Sequence, residues 1–291
     1  MNPTASLREL IGAEGGLVLP GVTNALTARI AQDLGFSALY ITGAGVTNTF
    51  LGLPDLGLLS LSEMAAHVRA ITDAVELPVI VDADTGFGNA VSVARTVQVL
   101  EKAGAAGIQL EDQVAPKRCG HFEGQEVIST AEMRQKIRAA VEHRVNDQTY
   151  IIARTDARAR HGLPEALERA AAYADAGADA LFIEGPLSRE ELADIGSAVP
   201  GVPKLANLVE GGKTPLLPTD ELVAMGFSII LFANAAMQGA IHGTQQVLRG
   251  LRETGSLAPV LTQLTPWTER QRLVRKPHFD ELETHYSIED A

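Results

Sequence analysis

A single cysteine, Cys119, stands among 291 residues. No disulfide can close within the chain, and a reducing compartment is expected. Nor is there a second cysteine or a paired-histidine spacing to complete a zinc site. Basic residues are in deficit: 24 Lys and Arg face 36 Asp and Glu, for a net charge of −12 and a pI near 5.0. Binding to a phosphate backbone needs basic patches, so nucleic acid is excluded as a partner. A small anionic substrate is not, because a bound cation inverts the local field. No apolar run is long enough to span a bilayer, and residues 1–21 lack the basic start, apolar stretch and cleavage site of a secretion signal. The expectation is a cytoplasmic protein with no membrane partner. No low-complexity linker divides the chain; the Pro/Gly-rich piece at 211–218 is short and reads as a loop.

What is present is apolar content, 46% of the residues, enough for one barrel-sized core. Short apolar, β-branched runs fall at 17–20, 38–42, 79–82, 107–111, 150–154, 180–184, 204–207 and 228–232. Ala-rich helical patterns lie between them, at 25–33, 62–75, 92–103, 130–144, 163–176, 189–198 and 219–225. Gly35, Gly104, Gly177 and Gly226 stand just before the next strand, where a helix ends in a left-handed residue. Continuous apolar strands alternating with helices predict a parallel sheet. Eight such units predict a (β/α)8 barrel of the TIM type, a single domain over 1–291. The alternative, a doubly wound open sheet, lacks a Gly-x-Gly-x-x-Gly turn opening its first helix. Residues from about 250 to 291 read as a C-terminal helical extension, interrupted at Pro266-Trp267 and Lys276-Pro277, that packs on a neighbouring subunit or covers the barrel.

In a barrel the C-terminal strand ends form the active face. Polar residues collect there in strand after strand: Tyr40 with Thr42-Gly43-Ala44, then Asp82 and Asp84, Glu111 and Asp112, Arg154-Thr155-Asp156, Glu184, and Asn207 with Glu210 following. Any one of these fits a capping or ion-pairing residue; their recurrence over six strands points to an active site. Asp82, Asp84 and Glu111 offer oxygen ligands to Mg²⁺, or to Mn²⁺ in its place, although either aspartate also suits a helix cap. Cys119 lies between Arg118 and Gly120-His121. Such neighbours lower a thiol pKa and favour reactivity, where a buried free cysteine is more often a small hydrophobe. Arg154 suits a substrate carboxylate, which a guanidinium grips with two hydrogen bonds, or a salt bridge with Glu184. His67, His143, His161 and His242 fall in helical patterns or beside them and read as residues without a chemical role.

At Asp82-Ala83-Asp84-Thr85-Gly86-Phe87-Gly88, Glu111-Asp112-Gln113, Lys117-Arg118-Cys119-Gly120-His121, Ala153-Arg154-Thr155-Asp156 and Asn207, the chain resembles the isocitrate lyase/phosphoenolpyruvate mutase superfamily. The resemblance runs from Pro20-Gly21 to about Leu248. It implies a (β/α)8 barrel whose late helix is swapped between subunits, in a homo-oligomer, usually a tetramer. It also implies Mg²⁺ at the two aspartates and enolate chemistry on small 2-oxo or 2-hydroxy carboxylates. The cysteine-bearing loop marks the carbon–carbon lyase branch rather than the mutase and phosphonopyruvate hydrolase branches. Gly52-Leu53-Pro54-Asp55, Gly120-His121-Phe122-Glu123-Gly124 and the stretch from Pro203 to Pro215 look more like lyases of dimethylmalate type than like lyases of 2-methylisocitrate. Two departures accompany this. Gln238 stands where tricarboxylate-cleaving relatives carry an arginine, and Phe232-Ala233-Asn234 replaces a Tyr-Pro phrase. The implied reaction is retro-aldol (retro-Claisen) cleavage of a 2-hydroxy dicarboxylate, with oxaloacetate hydrolysis or decarboxylation as a rival in the same pocket. A barrel that binds a metabolite without turning it over is the alternative from another class. The expected catalytic residues are Cys119, Glu184, Tyr40, Arg154 and His121. The expected substrate contacts are Thr42, Gly43, Ala44, Asp55, Gly120, Arg154, Asn207 and Glu210, and the expected metal ligands are Asp82, Asp84 and Glu111.

Overall fold

The computed structural model describes residues 3–117 and 126–287. Its elements run α1 (Pro3–Gly12), β1 (Leu17–Val22), α2 (Ala25–Asp33), β2 (Leu39–Ile41), α3 (Gly43–Val46), a π-helical turn (Thr47–Leu51), α4 (Leu61–Thr72), β3 (Val79–Asp82), α5 (Ala90–Lys102) and β4 (Gly107–Glu111). They continue as α6 (Thr130–His143), β5 (Tyr150–Thr155), α7 (Arg158–Asp175), β6 (Ala180–Ile183), α8 (Arg189–Ser197), β7 (Lys204–Asn207), α9 (Thr219–Ala224), β8 (Ile229–Phe232) and α10 (Ala235–Thr254). A 3-10 turn (Ala258–Gln263), α11 (Trp267–Leu273) and α12 (Lys276–His285) complete the chain. The eight strands are parallel and close in sequence order, β1 pairing with both β2 and β8. All eight expected strands are present. The four helix-ending glycines have φ of 86°, 102°, 105° and 104°, a conformation a Cβ would penalise.

Strand parity explains the core. One set of alternating residues, among them Leu19, Tyr40, Ile80, Ile152, Phe182, Leu205 and Leu231, fills the barrel lumen. The opposite set, including Ile41, Val81, Ile108, Ile151, Leu181 and Ile230, packs against the helices. The N-terminal mouth is plugged. Helix α1 brings Leu7 and Ile11, both buried, into the lumen cluster. Gly107 leaves room for this plug, because a Cβ there would stand 3.2 Å from Leu7 Cδ2. Arg8 fastens the plug to Asp179 at 2.9 Å and to the Gln148 carbonyl at 3.0 Å. Among the described residues no such plug fills the C-terminal mouth.

The loop after β2 contains α3 and the π-helical turn, which the sequence reading did not identify. The C-terminal extension is helical and is interrupted where Pro266-Trp267 and Lys276-Pro277 stand: α11 starts at Trp267 and α12 at Lys276. Pro277 sits in the first turn of α12, which needs no N–H there. Helix α10 runs unbroken to Thr254, and the extension follows it. The extension returns to the barrel through Arg272, which grips Asp33 of α2 at 2.6 and 2.7 Å. Among the described residues no helix is long and apolar enough to cross a membrane.

Candidate active site

Parity also builds the site. Two residues beyond the lumen layer of Tyr40, Ile80, Gln109, Ile152, Phe182 and Leu205 stand Thr42, Asp82, Glu111, Arg154, Glu184 and Asn207. All six are buried and point the same way, towards the open mouth. Thr42, Ala44, Asp55, Asp82, Lys117, Arg154, Glu184 and Asn207 line one cavity of about 40 Å³, floored by Tyr40, Phe182 and Leu231 and walled by Ala233 and Asn234. Most of the expected set is therefore assembled in one place. Cys119, Gly120 and His121 lie outside the described residues. Glu210 is exposed and does not line the cavity; only its main-chain oxygen is engaged, accepting from Gln238 Nε2 at 3.4 Å. Asp112, one residue past Glu111, has the opposite parity and points outward, away from the cavity.

The acidic side is organised around two cations. The Lys117 ammonium lies 2.5 Å from Asp55 Oδ1 and 2.8 Å from Asp84 Oδ1. Burial alone would pull this amine down, but Asp84, Glu111, Asp55 and Asp82 together hold it well above the usual lysine range. Burial pushes Asp84 up to about 6, with Asp82 and Asp55 adding to the rise and Lys117 opposing it. Burial likewise raises Glu111 well above the carboxylate range against the pull of Arg154. Asp82 accepts from Gly43 N–H at 3.2 Å, from Asp84 N–H at 3.2 Å and from Gln109 Nε2 at 3.2 Å. A Cβ at Gly43 would stand 3.1 Å from Asp84 Oδ1 and 3.2 Å from Asp82 Oδ2, so a side chain there would push on both carboxylates.

Arg154 is the second cation. Its Nε and Nη2 donate to the two oxygens of Asp156 at 2.9 and 2.8 Å, a bidentate grip. Glu111 lies 3.4 Å from Nε, Glu184 lies 3.7 Å from Nη2, and the Phe182 ring supports the guanidinium at 5.1 Å. Glu184 Oε2 also meets Asn207 Nδ2 at 3.5 Å. Tyr40 donates its hydroxyl to Gln109 Oε1 at 2.8 Å. Burial, then Asp82, keeps that phenol protonated far above its usual range.

Lys117, Asp156, Gln109 and Phe182 were not among the expected site residues. Gln109 and Phe182 are two residues before Glu111 and Glu184, so strand alternation puts them on the same face as those carboxylates. Asp156, two residues after Arg154, follows the same rule.

The fit to a divalent cation follows from charge and from geometry. Among the described residues, six buried carboxylates (Asp55, Asp82, Asp84, Glu111, Asp156, Glu184) face two buried cations, Lys117 and Arg154. The surplus is negative and made of oxygen donors only, which suits Mg²⁺. Oε1 of Glu111 and Oε1 of Glu184 are buried with no hydrogen-bond partner among the described residues. Among the described residues no three carboxylates, histidines or thiols converge as a closed metal cage. Lys117 draws Asp84 to itself and Arg154 draws Glu111, so what fits is an ion held by one or two carboxylates and completed by water.

Comparison with known proteins agrees with this architecture. Residues 7–252 match the family model of phosphoenolpyruvate phosphomutase. The chain is 47% identical to 2,3-dimethylmalate lyase of Eubacterium barkeri, covering 99% of each chain. It is 44% identical to 2-methylisocitrate lyase of Aeropyrum pernix over 98% of this chain and 92% of that one. Among solved structures, oxaloacetate acetylhydrolase in complex with 3,3-difluorooxalacetate superposes with a TM-score of 0.92 at 37% identity, covering 100% and 99% of the two chains. Phosphonopyruvate hydrolase in complex with oxalate and Mg²⁺ does so at 0.87 and 30% identity, covering 98% and 99%. Barrel and site together define an enzyme scaffold of enolate type, and the chain belongs to the phosphoenolpyruvate mutase/isocitrate lyase superfamily.

Proposed function

We propose that the protein is a carbon–carbon lyase that cleaves a substituted malate, a 2-hydroxy dicarboxylate of dimethylmalate type, to a 2-oxo acid and a carboxylate. The observation that carries this reading is Arg154, a guanidinium fixed by Asp156 in the lumen and facing the carboxylate cluster of Asp82, Asp84 and Lys117 across one small cavity. That arrangement suits a substrate carrying a carboxylate next to an oxygen.

Asp82 and Asp84, with Glu111 acting through water, would hold Mg²⁺, or Mn²⁺, which supplies Lewis acidity towards the 2-oxygen and the adjoining carboxylate. Arg154 grips that carboxylate, and the backbone of Thr42, Gly43 and Ala44 lines the same wall. The C2 hydroxyl loses its proton to a base. Glu184 suits this role better than Tyr40, because its Oε1 has no hydrogen-bond partner among the described residues, whereas the phenol of Tyr40 already donates to Gln109. The hydroxyl's electron pair becomes the C2–O double bond, and the C2–C3 bond breaks. Its electrons remain on C3 beside the second carboxylate, where the Cys119 thiol donates a proton. Net, one proton moves from the C2 hydroxyl to C3.

A second reading, hydrolysis of oxaloacetate, is favoured by the likeness to oxaloacetate acetylhydrolase. Malate, 2,3-dimethylmalate, 2-methylisocitrate and oxaloacetate, each assayed with Mg²⁺, separate the readings. The lyase predicts 2-oxo acid from the alkylated malate and little from 2-methylisocitrate, whose third carboxylate meets no arginine at Gln238. Oxalate from oxaloacetate as the sole activity would favour the hydrolase. Chelator, or Asp84→Ala in a folded protein, should abolish turnover; full activity in excess chelator removes the metal from the account.

A further inference from the structure

Asp112 is fully buried but takes no part in the cavity. Its Oδ2 accepts from Thr155 Oγ1 at 2.7 Å, from Tyr173 OH at 2.7 Å and from Arg169 Nη1 at 3.3 Å, and its Oδ1 accepts from Asp156 N–H at 2.9 Å. Two of these bonds hold the exit of β5, where Asp156 in turn fixes Arg154. The other two reach α7, whose Arg169 is itself held by Glu165 at 2.8 Å. The same group also holds a second piece of backbone. Ile128 N–H donates to the Asp112 carbonyl at 2.8 Å, and the Ile128 carbonyl accepts from Arg169 Nη1 at 2.8 Å. Beside it, Gln113 and Val127 pair as an antiparallel bridge and Val114 N–H donates to the Glu126 carbonyl at 2.7 Å. These contacts form the paired stem from which the chain leaves towards Cys119 and to which it returns.

We infer that Asp112, Arg169 and Tyr173 are positioning residues that set Arg154 and the stem of the Cys119 segment from one buried anchor outside the lumen. A buried carboxylate needs its donors, and here they come from the β5 exit and from α7. Arg169 carries the link onward to the Ile128 carbonyl, and the Asp112 carbonyl takes the Ile128 N–H, so the same two residues join the β5 exit to the stem. The inference rests on the reading that Arg154 binds the substrate carboxylate.

The test uses the full-length protein with Mg²⁺, oxalate as the carboxylate probe, and the sole thiol as the reporter of its segment. Arg169→Met removes the guanidinium; Tyr173→Phe removes one hydroxyl and leaves the packing, so one of the pair reports even if the other fails to fold. Oxalate affinity by calorimetry should fall roughly 10- to 100-fold in Arg169→Met, the scale of an ångström-level misplacement, and by less in Tyr173→Phe. Labelling of Cys119 by a disulfide reagent should change severalfold in both. Folded variants with unaltered oxalate affinity and unaltered labelling overturn the inference. So does a loss of thermal stability with neither readout moved, because that is packing alone. Arg154→Met is the control. If it leaves oxalate affinity intact, the functional reading fails, while the thiol readout still decides the anchor.

Discussion

Cys119 and Gly43 make opposite demands on their positions, one for a reactive atom and the other for the lack of one. Cys119→Ser keeps size and hydrogen bonding but raises the donor's pKa by many units. Turnover should fall by about 10²–10⁴-fold, the usual worth of a general acid, while oxalate binding stays close to wild type. Near-normal turnover in the serine variant would turn the assignment towards the hydrolase. Gly43→Ala places a methyl group 3.1–3.2 Å from the oxygens of Asp84 and Asp82. The fold should persist and Mg²⁺ affinity, titrated by calorimetry, should drop; unchanged affinity would mean that the ion sits elsewhere. At this scale the sequence was informative wherever parity operates. Asp82, Glu111, Arg154, Glu184 and Asn207 end strands, and a period of two carries all of them into the lumen. Glu111 was singled out from its neighbour Asp112, and the strand's alternation turns Glu111 towards Arg154 and Asp112 outward. The reach of Lys117 to Asp55 and Asp84 was hidden, because it depends on loop conformation, which no periodic pattern records.

Helix α1 shows what one element contributes. It carries Leu7 and Ile11 into the closed end of the barrel, and Leu7 is fully buried. Leu7→Ala should destabilise the protein by about 2–5 kcal/mol, the range for such truncations in a packed core. The site is at the other mouth, so activity below the transition should be retained. Urea unfolding followed with an activity assay checks both halves, and a cost below about 0.5 kcal/mol would mean that the plug is dispensable. The eight strands and seven main helices were legible because glycine stops and apolar runs recur with each unit. Helix α1 was not identified, although Leu7, Leu10 and Ile11 already show the i, i+3, i+4 spacing of a buried face. The turn at Gly162, with φ of 84°, separates Arg158–His161 from the rest of α7. The expected helix start at 163 therefore matches the backbone better than the continuous span does.

Taken as a whole, the molecule leaves most of a long helix exposed. None of the residues of α10 is buried, and Ile241 and Leu248 on it are 48% and 58% exposed. Beside its start an apolar groove opens between Val22, Ile30, Leu34, Phe36 and Phe232. A second copy of the chain is the expected occupant, in a dimer or tetramer. Light scattering at micromolar concentration should report an oligomer; a monomer would remove the expectation, and with it the exchange of late helices. The charge surplus in the lumen has a consequence for anyone who sets out to improve this protein. With six carboxylates and two cations among the described residues, discharging a carboxylate that is not tightly ion-paired, Glu184→Gln above all, relieves repulsion in the metal-free state, whereas Asp84→Asn would also break the pair with Lys117. A laboratory selection for heat resistance alone would therefore reward the loss of chemistry. Thermostable variants of this scaffold have to be screened for turnover from the first round.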